Sequence, residues 1–126
     1  MNKLIGKINI LGTEYKIYLA NEKSDKVLEG KNGDCDWTKK KLVLDYEASQ
    51  SDPFKIHVLT HEIVHAHLHE AGLRGQGHSG WAEDEEIVDW IASMVTRIMS
   101  SRKSMIEIYK KATENNDDNR TGGNNQ

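Results

Sequence analysis

The chain has 126 residues, with 17 Lys and Arg against 20 Asp and Glu and a formal net charge of −3. That length suits one domain able to bury a modest core without disulfides, and the balance of charge excludes neither sign locally but gives no reason to expect nucleic acid or a membrane as the main partner. The single cysteine, Cys35, has no internal disulfide partner, the opening "MNKLIGKINILG" is too polar for a signal segment, and no apolar run approaches the ~18 residues of a membrane-spanning helix, so a cytoplasmic protein is expected.

The first half of the chain reads as strand. "KLIGKINIL" and "YKIYLA" are rich in β-branched and aromatic residues, and "GTE" between them suits a hairpin connection. Residues 21–32 are polar and read as a loop. "DCDWTKKKLVLDY" then reads as a second hairpin, with the lysines of "TKKK" at its turn and Leu42–Leu44 on the returning strand.

At "SDPF" the pattern changes to the helical period. Asp52 is placed to cap free amide donors, and Pro53 at the first helical position loses nothing by lacking an N–H. A helix is expected from Pro53 to about Ala71, stopped by Gly72. Its apolar residues flank a histidine stripe on both sides, as in a central, mostly buried helix. After "GLRGQGHSG" a second helix is expected from near Trp81, with Val88, Ile91, Val95, Ile98, Met99, Met105, Ile106 and Tyr109 on one stripe. The polar end, residues 113–126, has too little apolar surface to order itself and reads as a disordered tail. Strands first and helices second imply an α+β fold, with the folded domain spanning 1–112.

The first helix carries H-E-x-x-H as His61-Glu62-Ile63-Val64-His65. Residues i and i+4 stand one above the other on a helix, so both imidazoles reach one ion. Zinc takes imidazole nitrogens and leaves a position open for water in catalytic sites. Glu62 lies about 100° round the helix, beside the ion, where it acts as general base on the bound water. The other histidines are poorly placed. His69 and His57 are a further turn away along the axis in either direction, and His67 points to another sector. Glu85 and His78 both remain as candidates for the third ligand. Glu85 is preferred because a packed helix holds a ligand more rigidly than the glycine-rich loop around His78. Asp89, one turn after Glu85, is placed to accept the outer N–H of a ligating histidine.

H-E-x-x-H followed by E-x-x-x-D on a second helix resembles the gluzincin pattern of zinc peptidases. Residues 58–92 resemble the ImmA/IrrE-like metallopeptidases and the small phage and mobile-element proteins related to them. The match is loose, with Val88 and Ile91 where alanine and an aromatic residue are usual. This resemblance implies a zincin-like single domain holding Zn2+ on His61, His65 and Glu85, with Glu62 as base and Asp89 behind a ligand. It also implies an antiparallel sheet whose edge strand binds a peptide or protein substrate, for which "KLVLDY" (41–46) is the candidate. "GQGHSGWAE" is similar instead to the segment supplying the third ligand in SprT-like proteases, which would select His78. A zinc-stabilised binding module without turnover is the reading from another class. His57, His78 and Tyr46 are the candidates for stabilising an oxyanion.

Overall fold

The computed structural model describes residues 2–47, 51–74 and 80–124, with 115–124 described by backbone alone. It divides into two compact units, Met1–Ser93 and Met94–Gln126. The first is an α+β unit in which a four-stranded sheet carries one long helix and the start of a second.

Strands β1 (Lys3–Ile10) and β2 (Thr13–Ala20) form an antiparallel hairpin. The turn is Leu11-Gly12, with φ of 51° and 93°. Positive φ at both central residues matches the right-handed twist of the strands. Asn9 secures the turn by accepting the Gly12 N–H at 2.9 Å. Strands β3 (Gly33–Asp36) and β4 (Lys41–Asp45) form the second hairpin.

The sheet order is β1-β2-β4-β3, and β2 pairs with β4 in parallel. The expected all-antiparallel sheet is therefore a mixed one. The 21–32 connection carries the chain past the position of β4, so the hairpin returns with β4 inside and β3 at the edge. "KLVLDY" is accordingly not the edge strand. Its Leu42, Val43 and Leu44 are all buried, and an unbroken apolar run is what a strand covered on both faces requires.

Those two faces build two cores. Leu42 packs with Ile10, Tyr15 and Ala66, with Leu59 and Ile63 alongside. Val43 packs with Ala20 and Leu28 on the opposite face. Leu28 comes from a short 3-10 turn at Lys26–Leu28, started by Asp25 accepting the Val27 N–H. The polar 21–32 segment thus contributes one fully buried leucine that closes the second face.

Helix α1 spans Asp52–Glu70. Ser51, rather than Asp52, is its N-cap and accepts the Phe54 N–H at 3.4 Å. At the other end Gly72 has φ of 77°, the Leu73 N–H reaches Leu68 O and the Gly72 N–H reaches His69 O. This is a Schellman ending, which needs a residue tolerant of the left-handed region. α1 packs on β3 and β4. Only Glu62, His65 and Ala66 on it are buried, and of these Ala66 alone completely, so it is a half-covered helix, less enclosed than its apolar flanks suggest.

Helix α2 spans Glu85–Asn124, after a 3-10 turn at Trp81–Glu83. Val88 and Ala92 in its first turns are buried. In the second unit Ile98, Met99, Met105 and Tyr109 of the apolar stripe are exposed. Helical backbone continues beyond Ala112 to Asn124. Among the described residues no helix is long and apolar enough to cross a membrane.

One polar cluster ties the end of α1 to the sheet. The Glu70 carboxylate accepts from Tyr15 Oη at 2.7 Å, Lys40 Nζ at 2.7 Å and Thr13 Oγ1 at 3.1 Å. The Lys40 and Tyr15 hydrogen bonds hold its pKa down at about 2, against an ordinary 4.5. Because the folded value is depressed, this stabilisation is complete above pH ~4.5 and fades as pH falls toward ~2. Glu70→Gln is expected to lower stability at pH 7 by about 1.5–3 kcal/mol, with the share of the partly solvated Lys40 at the low end. Urea denaturation at pH 7 and pH 3 checks this, since the gap between the two proteins must narrow at the lower pH.

Candidate metal centre

The helical spacing sets His61 and His65 side by side on α1. Their rings meet edge to face, with centroids 4.8 Å apart, and their Nε2 atoms are 3.1 Å apart. Glu85, the first residue of α2, closes the triangle, with Oε2 3.0 Å from His61 Nε2 and Oε1 2.8 Å from His65 Nε2. These three side chains are able to hold a metal ion, their donor atoms lying within 4.8 Å of one another. A tetrahedral ion with bonds of 2.0–2.1 Å separates neighbouring ligand atoms by about 3.3 Å. The observed spacings are slightly tighter than that, so the donor set fits a small ion with little adjustment.

The acidic start of α2 divides its labour. Asp84 accepts the Ile87 N–H through its side chain at 3.0 Å and the Val88 N–H through its carbonyl. That leaves Glu85 free of the capping role. A carboxylate in the first turn is also favoured by the helix dipole.

Asp89 lies one turn further and receives two histidines on the same oxygen. His61 Nδ1 is 3.1 Å away and His57 Nε2 is 2.8 Å away. The His57 hydrogen bond, supported by that of His61, holds the Asp89 carboxyl below its ordinary range. An ionised carboxylate only accepts, so Asp89 favours a proton on His61 Nδ1, which would leave the Nε2 lone pair for an ion held with His65 and Glu85. Burial lowers the pKa of His65, which keeps that imidazole neutral, as ligation requires.

Glu62 is buried, at 8% exposure. Burial pushes its pKa from 4.5 up to about 7, with Asp34 and Glu85 adding to the effect and His61 opposing it. It lines a cleft of about 700 Å³ together with Gly33, Asp34 and Cys35 of β3 and His57, His61 and His65 of α1. The strand that borders the cleft is thus the true edge strand, β3. Cys35 faces the same cleft, but burial together with Glu62 and Asp34 pushes its thiol up to about 12. It is not part of the ligand cluster.

The remaining histidines separate cleanly. His67 is exposed, with Nδ1 2.8 Å from Ile63 O. His69 stacks on Trp37 at 4.4 Å. Tyr46 is exposed and does not line the cleft, and His78 lies outside the described residues. The sequence reading missed His57 as a partner of Asp89. The available signal was spacing, since His57 precedes His61 by one turn just as Glu85 precedes Asp89.

The approach of β3 to α1 depends on Gly33. A Cβ there would lie 2.8 Å from Val58 Cγ1, 3.2 Å from Val43 O and 3.3 Å from Glu62 Cγ. The closest of these atoms belongs to a short, branched side chain on α1 with few other rotamers, so strand and helix must move apart. Gly33→Ala is expected to cost about 1–3 kcal/mol through overpacking, read as a lower urea midpoint without change in slope. Compared with protein-family models, with curated proteins and with solved structures, the chain matches none.

Proposed function

We propose that this chain is a zinc-dependent peptidase that hydrolyses an extended peptide segment lying in the cleft between β3 and α1. The observation that carries the reading is the buried carboxyl of Glu62 beside three donor groups that open on that cleft. His61, His65 and Glu85 would hold the ion. Zinc suits two imidazoles and a carboxylate with a position left open, and when bound it supplies a Lewis acid for activating water and polarising a carbonyl.

The chain's own residues do the rest. Glu62 takes the proton of the attacking water on its carboxylate and returns it to the leaving amine. A carboxyl kept from full solvation both accepts and releases a proton near neutral pH. Asp89 holds the Nδ1–H of His61 and so its orientation, and His57 holds Asp89 from the other side. The outer edge of β3, unpaired among the described residues, offers backbone N–H and C=O groups to a peptide in extended form, so that main-chain pairing aligns the scissile bond.

A zinc-stabilised module without turnover is the competing reading. A closed structural site takes four protein ligands, whereas among the described residues no fourth His, Cys, Asp or Glu joins the set. A carboxyl withdrawn from most of its water beside such a site also brings no structural benefit, since the loss of hydration is unfavourable.

The full chain is expected to bind one equivalent of zinc, and His61→Ala, His65→Ala or Glu85→Ala to lose it in metal analysis. Asp89→Asn should weaken zinc about 10- to 100-fold. Glu62→Gln should keep the metal and slow cleavage of an unstructured protein substrate by about 100-fold or more. Undiminished cleavage by Glu62→Gln overturns the mechanism, and absence of cleavage by the zinc-loaded wild type leaves the non-catalytic reading.

A further inference from the structure

We propose that Arg74 forms a carboxylate-binding subsite at the end of the cleft near the C-terminus of α1, so that the bound peptide carries a carboxylate at that end. This rests on the reading of the cleft as a peptide site.

Arg74 follows directly on the Schellman ending at Gly72–Leu73, and it lines the same cleft as His65 and Cys35. Its guanidinium carbon lies 5.9 Å from the centre of the Trp37 ring, and His69 is stacked against that same indole. An aromatic face holds a guanidinium by cation–π attraction while leaving its edge N–H groups available.

Among the described residues Arg74 makes one long ion pair and no hydrogen bond to a carboxylate. Its side chain is 22% exposed, and the nearest carboxylate oxygen, on Glu83, is 3.6 Å from Nε. That is beyond hydrogen-bond length, and Nε is buried with no hydrogen-bond partner among the described residues. The other cation lining the cleft, Lys31, is more than half exposed and already faces Asp34 at 3.4 Å.

Elsewhere the cleft wall is acidic, with Asp34, Glu62, Glu85 and Asp89. In the metal-free protein an anionic group is therefore repelled along most of the cleft and accepted at the Arg74 end. A planar guanidinium matches a carboxylate through two parallel N–H···O bonds. Two sources share this chemistry: the α-carboxylate of a peptide terminus and the side chain of Asp or Glu within a peptide.

The test uses the metal-free full chain, so that binding is read without turnover, and fluorescence anisotropy of short end-labelled peptides. One pair differs in a free or amidated C-terminus, and a second pair, amidated, differs in an internal Glu or Gln. The form carrying the recognised carboxylate is expected to bind about 10- to 100-fold more tightly, the range for a hydrogen-bonded charge. The pair that shows the difference identifies the source. Arg74→Met, which keeps an unbranched stem, should abolish the difference and leave the carboxylate-free peptide unchanged. Arg74→Lys should restore only part of it, because the fork is lost. Equal binding of both members of each pair, or an equal loss for all peptides in folded Arg74→Met, overturns the subsite. Carboxylate-dependent binding with no cleavage by the zinc-loaded protein upholds the subsite and overturns the peptidase. Cleavage indifferent to both the carboxylate and Arg74 does the reverse.

Discussion

Helix α1 has to serve a core and a polar cleft within a single turn, and the remainder of the first unit is arranged around that demand. Leu59, Ile63 and Ala66 point into the sheet, while His57, His61 and His65 point to the cleft. Glu62 lies between the two sectors, which is why a carboxyl ends up buried without belonging to the hydrophobic core. Had β3 stood further from the helix, Glu62 would be a solvated surface residue. Gly33, with no side chain to hold strand and helix apart, permits the close approach that withdraws Glu62 from water.

The centre also depends on how the second helix begins. Asp84 caps it, Glu85 faces the two histidines, and Asp89 one turn on receives His57 and His61. A single carboxylate oxygen faces a ring nitrogen of each histidine and holds the orientation of the His61 ring before any ion is present. Preorganisation of this kind removes an orientational cost from ligand binding. Trp37, His69 and Arg74 form a separate aromatic and cationic group at the far end of α1. The cleft is consequently asymmetric, acidic around the donor triad and basic at one extremity.

Much of this was legible in the chain. The i, i+4 histidines, the glutamate between them, the E-x-x-x-D pattern, the two hairpins and the ends of α1 all rest on local rules, in which spacing and capping act within a few residues. What was misread depended on distant partners. The family resemblance makes "KLVLDY" the edge strand, and nothing local records that β4 inserts beside β2. The continuous run Leu42–Leu44 was the available clue, since a half-exposed edge would have alternated. Leu28 was likewise invisible as a core residue inside a polar segment.

The sequence by itself determined which side chains share a helical turn: His61 with His65, Glu85 with Asp89, and Glu62 beside the first pair, because 3.6 residues per turn is a property of the backbone alone. Only the tertiary structure decided that the two pairs meet, that Asp89 takes both His57 and His61, that β3 rather than β4 borders the cleft, and that Arg74 stands at its end. Those outcomes follow from the parallel β2–β4 pairing and from the packing of α1 on the sheet. Each joins residues far apart in the chain, and such contacts depend on the total surface buried rather than on any local pattern.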